Sequence, residues 1–178
     1  MPIPGSGPGT GWPETAQRKG TRAVKRKFRL LREAAYKEGE ESYCELLAEP
    51  GFRDFVCLYI AEGYKRSRHT VSICNSDPVV MALSDRWMRR LSARPIDYVV
   101  TYHPDQRPEQ LISFWSEYLA VSRKAVRLTR KTNSGRMSGR VWRCKHGVLA
   151  ISSHDTYFRT RLGAWIDLLK REWGEFSG

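Results

Sequence analysis

Two spacings of apolar residues alternate along this chain. A recurrence at every third or fourth position predicts amphipathic helices over residues 78–94, 108–119 and 155–173. A strict alternation of apolar and polar residues predicts strands over residues 70–74, 96–102 and 126–130, and shorter strand-like runs follow at 141–143 and 148–152. Helices and strands in this order predict an α+β fold in which a sheet packs on helices.

The segment 51–62 is unusual because apolar residues occupy nearly every side of the helix that it predicts. Such a helix is expected to be buried on all sides, and Gly63 is expected to end it. Glu62 is an exception, since a carboxylate in the last turn meets the negative end of the helix dipole. A residue that breaks a local rule in this way indicates a functional site. A charged hairpin is predicted to follow over residues 64–68.

The overall charge predicts a polyanionic partner. The formal net charge is +12 and the pI is near 9.9, and phosphate backbones suit such a charge best. The sequence lacks a run of about 18 apolar residues, so no membrane partner is expected. Residues 1–14 are rich in Gly and Pro and lack the pattern of a secretory signal. They predict a disordered leader on a cytoplasmic, nucleoid-associated protein.

The window 123–145 holds nine basic residues and no acid. A solvated surface normally mixes both signs, so this window predicts a track for phosphates. A basic loop without a partner is the alternative. Alternation places Val126 and Leu128 toward the core. It predicts three outward side chains, Arg127, Thr129 and Lys131.

Residues 15–49 predict a basic helix ahead of the main domain. Nine Lys or Arg residues and one acid, Glu33, occur between Arg18 and Lys37. Phe28 and Leu31 belong to a narrow apolar stripe on this helix. The segment is therefore either a helix with a solvated charged face or an arm that contacts phosphates, and the sequence favours neither.

One segment resembles a known family. Phe55-Val56-Cys57-Leu58-Tyr59-Ile60-Ala61-Glu62-Gly63 is similar to the nine-residue motif of the LAGLIDADG homing endonucleases. Glu62 occupies the position of the family's metal-binding acid, and Gly63 that of its terminal glycine. Cys57 stands where a glycine is usual, and Ile60 replaces an acid. The likeness, which extends over about residues 50–173, is to single-motif bacterial members.

The resemblance implies a fold, a partner and a chemistry. The domain 50–174 would form a LAGLIDADG-like curved antiparallel sheet packed on helices, and two copies would bind a near-palindromic double-stranded DNA site as a homodimer. Glu62 is the implied catalytic residue, and Glu62 with Gly63 is the implied site of a Mg²⁺ ion for phosphodiester hydrolysis. The implied dimer interface comprises Val56, Cys57, Tyr59, Ile60 and Ala61. The implied DNA contacts are Tyr64, Lys65, Arg66, Arg68, Arg127, Thr129, Lys131, Arg136, Arg140, Arg143 and Lys145.

Two other functions share these features. The same fold without cleavage would serve as a DNA-binding transcriptional regulator. An RNA-binding splicing helper would have the same charge. The composition does not separate these alternatives from an endonuclease.

Overall fold

The computed structural model describes residues 14–131 and 144–175. Five α-helices lie in these ranges: α1 (Glu14–Leu47), α2 (Phe52–Glu62), α3 (Pro78–Leu91), α4 (Pro108–Tyr118) and α5 (Thr156–Glu175). Four strands accompany them: β1 (Val71–Asn75), β2 (Ile96–Tyr102), β3 (Val126–Arg130) and β4 (Val148–Ser153). The predicted α+β class is confirmed.

The four strands form one sheet in the order β1-β4-β2-β3. β4 pairs antiparallel with β1 and with β2, whereas β2 and β3 run parallel. The expectation of a wholly antiparallel sheet is therefore wrong. The parallel pairing of β2 and β3 follows from α4, which carries the chain from the end of β2 back to the end of the sheet where β2 began.

Local signals set the ends of two helices. The Asp77 carboxylate accepts hydrogen bonds from the N–H groups of Val79 and Val80, and Pro78 occupies the first position of α3. Asp155 accepts a hydrogen bond from the N–H of Phe158 in the first turn of α5. Both helices begin where the sequence predicts.

One hydrophobic core lies between the inward face of the sheet and the helices. Three tryptophans from three helices, Trp87, Trp115 and Trp165, are fully buried in it. The strands contribute their inward side chains, among them Val71, Ile73, Tyr98, Val100, Val126, Leu149 and Ile151. Because all four strands contribute to this one core, the opposite face of the sheet is left for other contacts.

A polar cluster that includes the buried residues Asp85 and Tyr98 joins α3 to β2. Tyr98 donates a hydrogen bond to the Asp85 carboxylate at 2.5 Å, and the Arg89 Nε donates to the same carboxylate at 3.0 Å. Burial and the hydrogen bond to Asp85 raise the pKa of Tyr98 to about 12. Arg89 also donates to the carbonyl of Leu119, so the cluster holds α3, β2 and the end of α4 together.

α1 packs on α5 through its second half. Trp165 Nε1 donates a hydrogen bond to the carbonyl of Gly39 at 2.8 Å. A Cβ on Gly39 would lie 2.9 Å from the Cβ of Ala164 and 3.0 Å from the backbone of Arg161, so this approach requires glycine. The predicted N-terminal helix is thus present, and residues 21–31 in its first half are exposed.

Of three other predicted segments, one is not formed and two lie mainly outside the described residues. The hairpin predicted over 64–68 is absent; Gly63 instead makes an isolated bridge with Ile73, and the N–H of Tyr64 donates to the carbonyl of Ser72. The strand-like run at 141–143 lies outside the described residues, as does the leader apart from Glu14, which begins α1.

Within residues 14–131 and 144–175, none of the helices has the length and apolar character needed to span a membrane.

Candidate nucleic-acid interface

The outward face of the sheet carries mostly short side chains, each exposed or half-buried. The strand register arranges them in rows across the sheet. The middle row is Cys74, Ala150, Val99 and Arg127, and the rows beside it are Ser72, Ser152 and Asp97, and Val148, Thr101 and Thr129. We call this surface the open face. Its low relief leaves the strands accessible to a large, rigid ligand.

Basic residues border both edges of the open face. At the β1 edge, the loop after α2 exposes Tyr64, Lys65, Arg66 and Arg68. At the β3 edge, the exposed side chains are Arg127, Thr129, Arg130 and Lys131. Val126 is buried and Leu128 is half-buried beneath them, which confirms the alternation predicted for β3. Three gaps between strands separate the edges by about 14 Å.

Some of these charges have a partner within the described residues and others do not. Arg127 pairs with Asp97 at 2.8 Å, and both side chains are substantially exposed. His154 Nε2 lies 3.8 Å from the second oxygen of Asp97. By contrast, Lys65 and Arg66 make no ion pair with a residue that the structure describes. Much of the positive charge at the edges is therefore free to act on a ligand.

α2 presents two different sides. Phe52, Phe55, Val56 and Tyr59 are buried in the chain's own core. Val56 and Tyr59 are therefore unavailable to a second chain, which corrects their assignment to a dimer interface. Cys57 and Ile60 are half-buried and Ala61 is exposed. The expected burial on all sides is not achieved within one chain.

The outward side of α2 also includes a residue that sequence reasoning missed. Leu58 is half-buried, and Ala61 lies three positions after Leu58 and four after Cys57, so Ala61 adjoins both of them on one side of the helix. A helical projection centred on the buried aromatic residues would have identified Leu58. This outward side, formed by Cys57, Leu58 and Ala61, is called the α2 outer side below.

Glu62 is exposed at the end of α2. Partial burial and the negative charge of Glu62 both raise the pKa of Cys74, whose side chain projects from β1 on the open face. The carboxylate is thus close to the β1 edge. Glu62 makes no hydrogen bond or ion pair with a described residue, so its oxygens are available to a ligand.

Gly63 has a packing role beside Glu62. Its N–H donates to the carbonyl of Tyr59 at 2.9 Å and ends α2, as expected, but its backbone is extended rather than left-handed. A Cβ at this position would come within 2.5 Å of the Tyr59 ring. Close packing against Tyr59 is a sufficient reason for a glycine here.

Lys145 is exposed on a loop that several side chains hold in place. Gln106 donates to the carbonyl of Lys145 at 3.2 Å, and Trp115 Nε1 donates to the carbonyl of His146 at 2.7 Å. The His146 ring stacks on Phe114, and burial together with Lys145 lowers the pKa of His146. The remaining predicted DNA contacts lie outside the described residues: Arg136, Arg140 and Arg143.

The described part of the chain contains no group of three or more His, Cys, Asp or Glu side chains arranged to hold a metal ion. A metal site that involves Glu62 would therefore need ligands from outside these residues. Comparison with known protein families, with curated proteins and with solved structures finds no match to this chain.

Proposed function

We propose that this protein binds double-stranded DNA through the open face. The observation that carries the proposal is the pair of basic edges, about 14 Å apart, on either side of short side chains. The major groove is about 12 Å wide, so the edges suit the two phosphate backbones that border it. Arg66 and Arg127 would contact phosphates, while polar side chains such as Thr101 and Thr129 would face base edges.

A second copy of the chain is the proposed partner of the α2 outer side. Cys57 and Ala61 are small and four residues apart, which permits close approach of two helices, and Leu58 provides apolar area. α2 is about 16 Å long, so this contact is small beside the roughly 1,200 Å² of a stable interface. We therefore expect the dimer to form on DNA, with each copy on one half of a near-palindromic site.

Glu62 suits a Mg²⁺ ion in such a complex. Mg²⁺ commonly binds through one or two carboxylates together with water and phosphate oxygens. The exposed Glu62 carboxylate is a ligand of this kind, and the DNA and the second copy would supply the others. When bound, the ion would activate water and stabilise the leaving oxygen in phosphodiester hydrolysis. On this basis the protein is proposed to be a LAGLIDADG-like, site-specific endonuclease.

Glu62→Gln tests the proposed cleavage, because the substitution preserves the side chain's shape and removes its charge. The matched control is Glu117→Gln, which changes an exposed glutamate in the last turn of α4. With Mg²⁺ and a library of duplex targets, we expect Glu62→Gln to bind as tightly as the wild type and to cleave nothing. Glu117→Gln should cleave normally.

Other outcomes would favour other functions. A wild-type protein that binds its target and never cuts it would support a transcriptional regulator, which a site built on one carboxylate, Glu62, also allows. A wild-type protein that prefers structured RNA to duplex DNA at matched salt would support a splicing helper. Failure to bind any duplex would refute DNA binding through the open face.

A further inference from the structure

The first half of α1 carries charge of one sign along one side. Arg22, Lys25, Arg29 and Arg32 follow one another at spacings of three or four residues, which aligns them on the helix. No acid occurs between Arg18 and Arg32. Phe28 and Arg32 lie beside Thr156 and Tyr157 in the first turn of α5, whereas Arg22 lies nearly two helical turns before Phe28. The positive row therefore extends past the start of α5.

This row forms one wall of a groove of about 480 Å³. Lys25, Arg29 and Arg32 line it together with the apolar side chains of Val24 and Phe28. His69 and Thr156, which share a hydrogen-bond contact of 3.0 Å, line it as well. Since β1 begins just after His69 and β4 ends just before Thr156, the groove lies at one end of the sheet.

The charge of the groove is largely uncompensated. Arg29 pairs with Glu33 at 3.5 Å, and both side chains are about two-thirds exposed, so this pair is weak. Lys25 and Arg32 have no ion pair with a described residue. A groove with a positive wall and apolar patches is complementary to a strand of nucleic acid, whose phosphates and sugars supply both kinds of surface.

We propose that this groove binds the phosphate backbone of DNA that flanks the segment covered by the open face. The inference rests on the proposed function, and it assigns to α1 a contact that depends on charge rather than on base sequence. A second copy of α1 is a poor occupant, because it would bring two positive rows together. The groove would extend the DNA footprint beyond the end of the sheet.

The test compares two triple variants of the full chain. The groove variant is Lys25→Gln, Arg29→Gln and Arg32→Gln. The control is Arg26→Gln, Lys27→Gln and Lys37→Gln, which removes the same charge from other sides of the same helix. Glutamine preserves helix propensity, and circular dichroism verifies the helix content of both proteins. The dissociation constant is measured at several salt concentrations on two duplexes. One is long, and the other is trimmed to the segment that the bound groove variant protects.

On the long duplex, we expect the groove variant to bind more weakly and its salt dependence to fall by about 2–3 in the log–log slope, since each phosphate contributes about 0.9. On the trimmed duplex, the groove variant and the wild type should have equal slopes. The control variant should match the wild type on both. Equal losses in the two variants would overturn the inference, because general charge would then explain them.

The outcomes also separate this inference from the proposed function. If the wild type binds no duplex, both fail. If the salt dependence of wild-type binding has the same log–log slope on both duplexes, the open face binds DNA and the groove does not. A groove variant that loses affinity only for structured RNA would likewise overturn the inference.

Discussion

Gly39→Ala tests the crossing of α1 and α5, on which the groove depends. Alanine favours a helix by about 1 kcal/mol over glycine. Against this, the new Cβ would lie 2.9–3.0 Å from Ala164 and the backbone of Arg161, and such overpacking costs about 1–3 kcal/mol. A shift of α1 would also weaken the buried hydrogen bond from Trp165, worth about 0.5–1.5 kcal/mol. The net expectation is a destabilisation of about 0.5–3.5 kcal/mol.

Gly163→Ala in α5 is the matched control for this prediction. The atom nearest to a Cβ there is a terminal nitrogen of Arg159 at 3.8 Å, so helix propensity alone should act and stabilise the protein by about 1 kcal/mol. Urea unfolding followed by circular dichroism measures both variants. The free energy of unfolding should decrease in Gly39→Ala and increase in Gly163→Ala. Should Gly39→Ala prove as stable as Gly163→Ala, the close α1–α5 contact would be refuted.

Three further predictions address the fold and the assembly. Tyr98→Phe should lower the free energy of unfolding by about 1.5–3 kcal/mol, because the buried Asp85 carboxylate loses a hydrogen bond; an unchanged urea midpoint would contradict this role. Ala61→Lys should convert a 2:1 protein–DNA complex into a 1:1 complex in light scattering, whereas an intact 2:1 complex would exclude the α2 outer side as the interface. Folding favours neutral His146, since its pKa is lowered. The free energy of unfolding should therefore keep its full value above about pH 6.5 and decrease as the pH falls through the lowered pKa. His146→Phe should reduce this pH dependence, which urea midpoints between about pH 7 and 5 would measure.

The parts of the fold that could be predicted from sequence are those decided by near neighbours. Asp77 and Pro78 set the start of α3 with groups only two or three residues away. Alternation in β3 correctly separated buried Val126 from exposed Arg127, because successive side chains of a strand point to opposite faces. The same reasoning predicted the exposure of Thr129 and Lys131, but the place of β3 at the edge of the sheet follows only from the strand order.

The parts that could not be predicted depend on residues far apart in the chain. The parallel pairing of Tyr98 with Val126 follows from the path of α4 across the core. The buried and outward sides of α2 depend on which neighbours cover it, so Tyr59 was assigned to a partner and Leu58 was missed. The groove depends on the packing of Gly39 against α5, and no local pattern reports such a contact.

The position of β4 in the middle of the sheet has a consequence for biosynthesis. β1 and β2 both pair with β4, yet β2 ends at Tyr102 and β4 begins only at Val148. At about 5–20 residues per second, a ribosome needs roughly 4–15 s to proceed from the end of β1 to the start of β4. Throughout that time the nascent polypeptide exposes unpaired strand edges, which favour aggregation. Its maturation should therefore depend on chaperones that shield nascent chains, and products truncated before residue 148 should accumulate as inclusion bodies.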